Sequence, residues 1–209
     1  MKKLAIAVIL SVSMPFMFMN CAPSFNVLDM SSWDLASQDA FLARLEDSLL
    51  TSNQVYLSMA ELTGVTPSDA TANEYENISK TALPETQKVA GLTSPTLMTA
   101  ANLGSRFCTD LVNLEAARSP AERRFFGAID FNSGPNQLSE EGFGNALEQV
   151  SRKFWGRSMS GAEVQAFYAF KAEFIENIAA NQRGNKSYTA SLIVSMCTAA
   201  LASYESLTL

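Results

Sequence analysis

From Thr51 onward, apolar residues recur three or four positions apart, the spacing of one helix face. Alternation of the strand type, with Val, Ile and Thr at every second position, is absent over any useful length. Thr51-Ser-Asn-Gln54 has the form of a capping box ahead of Val55, Met59 and Leu62, and Gly64 stands where a C-terminal cap belongs. Just before it, Asp39 to Leu50 places Phe41, Leu42, Leu45 and Leu49 on one face. Ser94-Pro95 reads as a cap with a first-turn proline, opening a helix through Leu97, Ala101, Leu103, Phe107, Cys108 and Leu111. Ser119-Pro-Ala-Glu122 combines cap, proline and box, and predicts a helix carrying Phe125, Phe126 and Ile129. A turn cluster over Asp130 to Gln137 follows, broken at Gly134-Pro135.

Ser139 then opens a helix through Phe143, Leu147, Val150 and Phe154 that ends near Gly156. Ser160-Gly-Ala-Glu163 is another box, and its helix carries Val164, Phe167, Phe170, Phe174 and Ile178. Asn181 to Lys186 is a polar loop, and the last helix starts near Ser187 with Leu192, Ile193, Met196, Cys197, Ala200 and Leu201. Thr66 to Thr93, set among prolines 67, 84 and 95, reads as a long excursion with one short helix near Asn73 to Lys80. The chain is therefore expected to be all-α, a single irregular bundle of about six or seven helices.

The N-terminal segment has a different pattern. Lys2 and Lys3 precede an apolar stretch from Leu4 to Met19, and Cys21 closes it. The stretch is near the lower limit for crossing a bilayer and contains Pro15, so a secretory signal is favoured over a permanent span. Phe18, Met19 and Asn20 do not supply the small residues that an ordinary signal peptidase takes. F-M-N-C, Phe18 to Cys21, instead resembles a relaxed bacterial lipobox of the kind ending in Asn-Cys. That resemblance implies removal of residues 1–20 and diacylation of Cys21. Two acyl chains are what stable membrane attachment requires. Residues 21–35 would then be a lipidated tether and residues 36–209 the helical domain. Ala22 after the cysteine leans toward the outer membrane, facing the periplasm or the surface. The alternative is a secreted protein cut nearby with Cys21 free.

Removing 20 of the 209 residues leaves 189, enough for one domain. It also leaves 13 basic against 21 acidic side chains, a net charge of about −8. That balance excludes nucleic acid as a natural partner, because phosphates demand Lys and Arg. If Cys21 is lipidated, Cys108 and Cys197 remain as an even pair in an exported chain, which points to a disulfide. Two buried thiols are the other reading.

The chain contains no histidine. Ser-His and Cys-His nucleophile pairs, histidine metal sites and C-x-x-C-H haem attachment are therefore closed to it. No cofactor or metal is expected, and no catalytic residue is assigned. Glu140, Glu141, Glu163, Glu173 and Glu176 are the carboxylates on which an acid–base enzyme acting on an envelope polymer such as peptidoglycan would depend. First-turn placement for Glu140, Glu141 and Glu163 and a solvated face for Glu173 and Glu176 account for them without chemistry. Lys153-Phe-Trp-Gly-Arg157 could meet an anionic ligand, but a packed helix end with basic residues at its dipole is the simpler reading. Phe167, Tyr168, Phe170 and Phe174 read as a core stripe, and Arg123-Arg124 as a solvated basic pair.

Three stretches carry a wider resemblance: Leu49 to Gly64, F-W-G-R-x-x-x-x-x-E from Phe154 to Glu163, and C-T-A-A-L-A-S-Y-E-S-L from Cys197 to Leu207. Together they resemble helical modules of bacterial lipoproteins and, distantly, helical domains accompanying planctomycete-type cytochromes c. The haem motif of those cytochromes is missing, so electron transfer is not implied. The resemblance implies a companion module beside an envelope protein partner: a lipid-anchored, non-catalytic binding or assembly subunit.

Overall fold

The computed structural model describes residues 50–83 and 93–207. The signal segment, Cys21, the tether and the helix expected over 39–49 lie outside the described residues. Among those described, the protein is all-α, with no strand.

Helix α1, Ser52–Thr63, begins on the expected capping box and ends at Gly64, whose φ of 66° is the left-handed conformation a glycine cap supplies. Helix α2 begins as Asp69–Glu74, widens to a π-helical turn over Tyr75–Ser79 and closes in the single turn Lys80–Ala82. It starts four residues earlier than the pattern suggests. Ser68 caps it, and Asp110 accepts hydrogen bonds from the Ser68 N–H at 3.0 Å and the Thr71 hydroxyl at 2.6 Å. Helix α3, Ser94–Ala116, is capped by Thr93 rather than Ser94, with Pro95 in its first turn.

Helices α4, Glu140–Phe154, and α5, Gly161–Glu176, start on Ser139 and Ser160 as read from the sequence. Helix α6, Lys186–Leu201, starts on Asn185, and a short α7, Tyr204–Leu207, follows. The Leu50 N–H donates to the Leu207 carbonyl at 3.2 Å, so the two ends of the bundle meet.

Helices α3 and α6 form the most extensive pairing and make the centre. Leu103, Phe107, Cys108 and Leu111 of α3 and Leu192, Ile193, Met196, Cys197 and Ala200 of α6 are all buried. Each large apolar side chain of that set contributes about 1.5–3 kcal/mol through burial. The Cys108–Cys197 disulfide lies inside this seam, with Cα atoms 5.8 Å apart and 89 residues of chain between them. A loop of that length corresponds to about 4–5 kcal/mol in the chain-entropy model.

Two expectations need correction. Ser119-Pro-Ala-Glu122 forms its box but opens only a 3₁₀ turn, Pro120–Glu122. Phe125, Phe126 and Ile129 are core residues held on irregular backbone. The aromatic stripe of α5 is half-buried rather than core: Phe167, Tyr168, Phe170 and Phe174 lean against the bundle from outside. The buried residue of α5 is Lys171, whose Nζ donates to the Leu138 carbonyl and Glu140 Oε1, each at 3.1 Å, over the Phe143 ring.

Gly134 is required for a different reason from Gly64. A Cβ there would lie 2.4 Å from the Arg183 carbonyl and from the Gly184 Cα, so the 130–137 turn and the loop before α6 touch backbone to backbone. The Thr189 hydroxyl reinforces that contact by donating to the Ser133 carbonyl at 2.7 Å.

Candidate functional site

The C-terminal half of α3 continues its buried stripe from Cys108 through Leu111 and Val112 to Glu115, a carboxylate only 1% exposed. A buried charge needs hydrogen bonds to replace water. Glu115 obtains them from the backbone: Oε1 accepts from the Arg124 N–H at 3.0 Å, and Oε2 from the Phe125 and Phe126 N–H groups at 3.1 and 3.2 Å. The Arg118 guanidinium adds an ion pair at 3.6 Å. These bonds take N–H groups that a helix continuing from Glu122 would direct to its own carbonyls. That is why the chain turns to irregular backbone after the 3₁₀ turn.

Arg123 completes the arrangement and is not a solvated partner of Arg124. Its Nε donates to the Glu115 and Arg118 carbonyls at 2.9 and 3.1 Å, satisfying the end of α3. Its Nη1 donates to the Ile129 carbonyl at 2.6 Å, and the guanidinium stacks over Phe131 at 5.1 Å. The neighbouring Arg124 faces outward and is exposed, on backbone that Glu115 fixes.

Two adjoining hollows open at this point. One, of about 480 Å³, is lined by Thr63, Leu111, Leu114, Arg118, Glu122 and their neighbours. The other, of about 270 Å³, is lined by Glu61, Leu62, Gln149 and Lys153. Both include Gly64, Arg124 and Phe125, so Arg124 stands on the ridge between them. Among the described residues, neither the Arg124 nor the Lys153 side chain has a hydrogen-bond or ion-pair partner.

The sequence-level carboxylates do not converge on these hollows. Glu140 pairs with Lys171, and Glu141 sits beside it in the first turn of α4. Glu163 closes its capping box and takes a two-pronged ion pair from Arg157, at 2.7 and 2.9 Å. That guanidinium holds its carboxyl well below the usual range, at about 2. Glu173 and Glu176 are exposed on α5. The Lys153–Arg157 stretch packs as a helix end: Phe154 is buried, and Trp155 Nε1 donates to the Ala200 carbonyl and Ser203 Oγ at 3.0 and 2.8 Å. Arg157 lies over the Trp155 ring at 5.2 Å.

Sequence reasoning missed Glu115 and gave Arg124 no role. The sign for Glu115 was present: it stands four residues after Leu111 and three after Val112, an acid on an otherwise apolar stripe. Among the described residues no group of His, Cys, Asp and Glu is arranged to hold a metal, and no helix is long and apolar enough to cross a membrane. Comparisons with protein-family models, with curated proteins and with solved structures find no match for this chain.

Proposed function

We propose that the chain is a lipid-anchored cell-envelope protein, held by acyl groups on Cys21, that acts as a non-catalytic binding or assembly subunit for an envelope protein partner. The observation that carries the binding role is the placement of its exposed apolar side chains. Leu57, Ile78, Leu97, Met98 and Leu114 all fall between α1 and the end of α3, with Met98 67% and Leu57 55% exposed. Large apolar groups left in water on one portion of a bundle are the mark of a surface that another molecule covers. The anchor rests on the sequence alone, on Phe18 to Cys21.

The carboxylate-enzyme alternative has less support, because Glu115, Glu140, Glu148 and Glu163 each have a structural partner. Replacing the whole of 66–93 would be a poor test of the binding role, since Thr71, Tyr75, Ser79 and Leu83 are buried in the bundle. The experiment is cross-linked capture from native membranes with the wild type and with Leu57→Asp combined with Met98→Asp. The expected result is one protein recovered with the wild type and lost with the double variant. Equal recovery from both would remove the reading. Cys21→Ser tests the anchor separately: the protein should leave the membrane fraction.

A further inference from the structure

We infer that the paired hollows around Arg124 are a subsite for a carboxylate carried by a partner polypeptide, an acidic side chain or a chain end. This rests on reading the chain as a binding subunit, and it names the chemistry of one point of contact. Three cations surround the site: Arg118, Arg124 and Lys153. Two of them, Arg124 and Lys153, have no ionic partner among the described residues, on a chain whose net charge is −6. Exposed arginines are common, but this one is presented on a backbone that a buried acid holds in place. The Glu115 carboxylate accepts the N–H of Arg124 itself and those of the next two residues. Gly64 leaves room for the guanidinium: an added Cβ there would sit 3.4 Å from Arg124 Nη1. Backbone fixed before binding lowers the ordering cost that a partner would otherwise meet.

The lining distinguishes between anions. Glu61 and Glu122 share the hollows with the cations, so a doubly charged phosphate meets more repulsion there than a single carboxylate does. A planar carboxylate also matches the guanidinium fork with two parallel hydrogen bonds. Phe125 and Leu114 beside it offer apolar area to the methylenes that carry such a group.

The test is a titration of the ¹⁵N-labelled soluble chain, begun after Cys21, with a Glu-containing peptide, its Gln counterpart and inorganic phosphate. The signals to follow are the Gly64 amide and the Arg124 side-chain N–H. Saturable shifts with the Glu peptide, and weaker binding by about tenfold or more with the Gln peptide, are expected. Arg124→Gln should abolish the shift, and Arg124→Lys should restore part of it. Both change an exposed side chain and should leave the helical spectrum intact. Equal binding of the Glu and Gln peptides, preference for phosphate, or no saturable shift at either signal would each overturn the inference. A protein that still loses its captured partner through Leu57→Asp and Met98→Asp, yet ignores the Glu peptide, keeps the binding role and loses this subsite.

Discussion

Ser119-Pro-Ala-Glu122 and Ser160-Gly-Ala-Glu163 are nearly the same four residues, and each closes the same reciprocal box. The second opens a helix of 16 residues. The first opens a 3₁₀ turn of three residues and then gives way to irregular backbone. The boxes themselves do not account for the difference. After Glu163 no outside group competes for the backbone, and Arg157 steadies the box from one side. After Glu122 a carboxylate from another helix takes the N–H groups of Arg124, Phe125 and Phe126. A capping box marks where a helix may be entered, and a buried acceptor elsewhere in the chain decides whether it continues.

The strongest way to break the comparison is Glu115→Ala. It strips the acceptor from three N–H groups that the fold cannot expose, and it should cost about 3–5 kcal/mol in denaturant unfolding. Hydrogen exchange at residues 124–126 should rise well before the rest of α3 loosens. Next in size is the disulfide, which joins the helix bearing Glu115 to α6. Cys108→Ala with Cys197→Ala should lower stability by about 2–4 kcal/mol and abolish the mobility change on reduction in a gel.

Glu163→Gln acts on the box that works as a helix start, and should cost only about 1 kcal/mol because the pair is partly exposed. Its pH dependence has a definite sign. The folded carboxyl titrates at about 2 against an ordinary 4.5, so its stabilisation is complete above pH 4.5. It fades as the pH falls toward about 2, and the gap between wild type and variant should close over that window in acid titrations. The smallest effect is expected from Gly161→Pro, which copies the proline of the first box into the second. Nothing lies within 4 Å of a Cβ at Gly161, and proline suits the first helical position. Stability should be unchanged or higher by about 0.4–1 kcal/mol. A shortened α5 in circular dichroism would show that the proline, not Glu115, separates the two boxes.

The helices that begin on a self-sufficient signal were legible. Thr51, Ser139 and Ser160 each complete their caps with residues three positions away, and the apolar spacing of α6 placed every one of its core residues. What escaped depends on partners distant in the chain. Ser68 lacks a box, and its helix is anchored by Asp110, 42 residues later. The irregular course of Arg124 to Ile129 depends on Glu115. Leu97, read as part of the α3 core face, is exposed because the buried stripe begins at Thr96 and continues through Thr99 and Ala100. The candidate subsite was the least legible feature. Arg124 and Gly64 are 60 positions apart, and neither belongs to a motif.

The Cys108–Cys197 bridge also makes a covalent ring of the chain between those residues. The ring includes both irregular surface stretches that a protease would reach first, at 118–138 and 177–185. A single cut in either would not release a fragment. The nicked protein would keep its two pieces linked through the bundle's centre, and they would part only under reducing conditions. For a protein stationed in an envelope full of proteases, damage at these loops would cost a peptide bond without costing the molecule its anchor or its last helix.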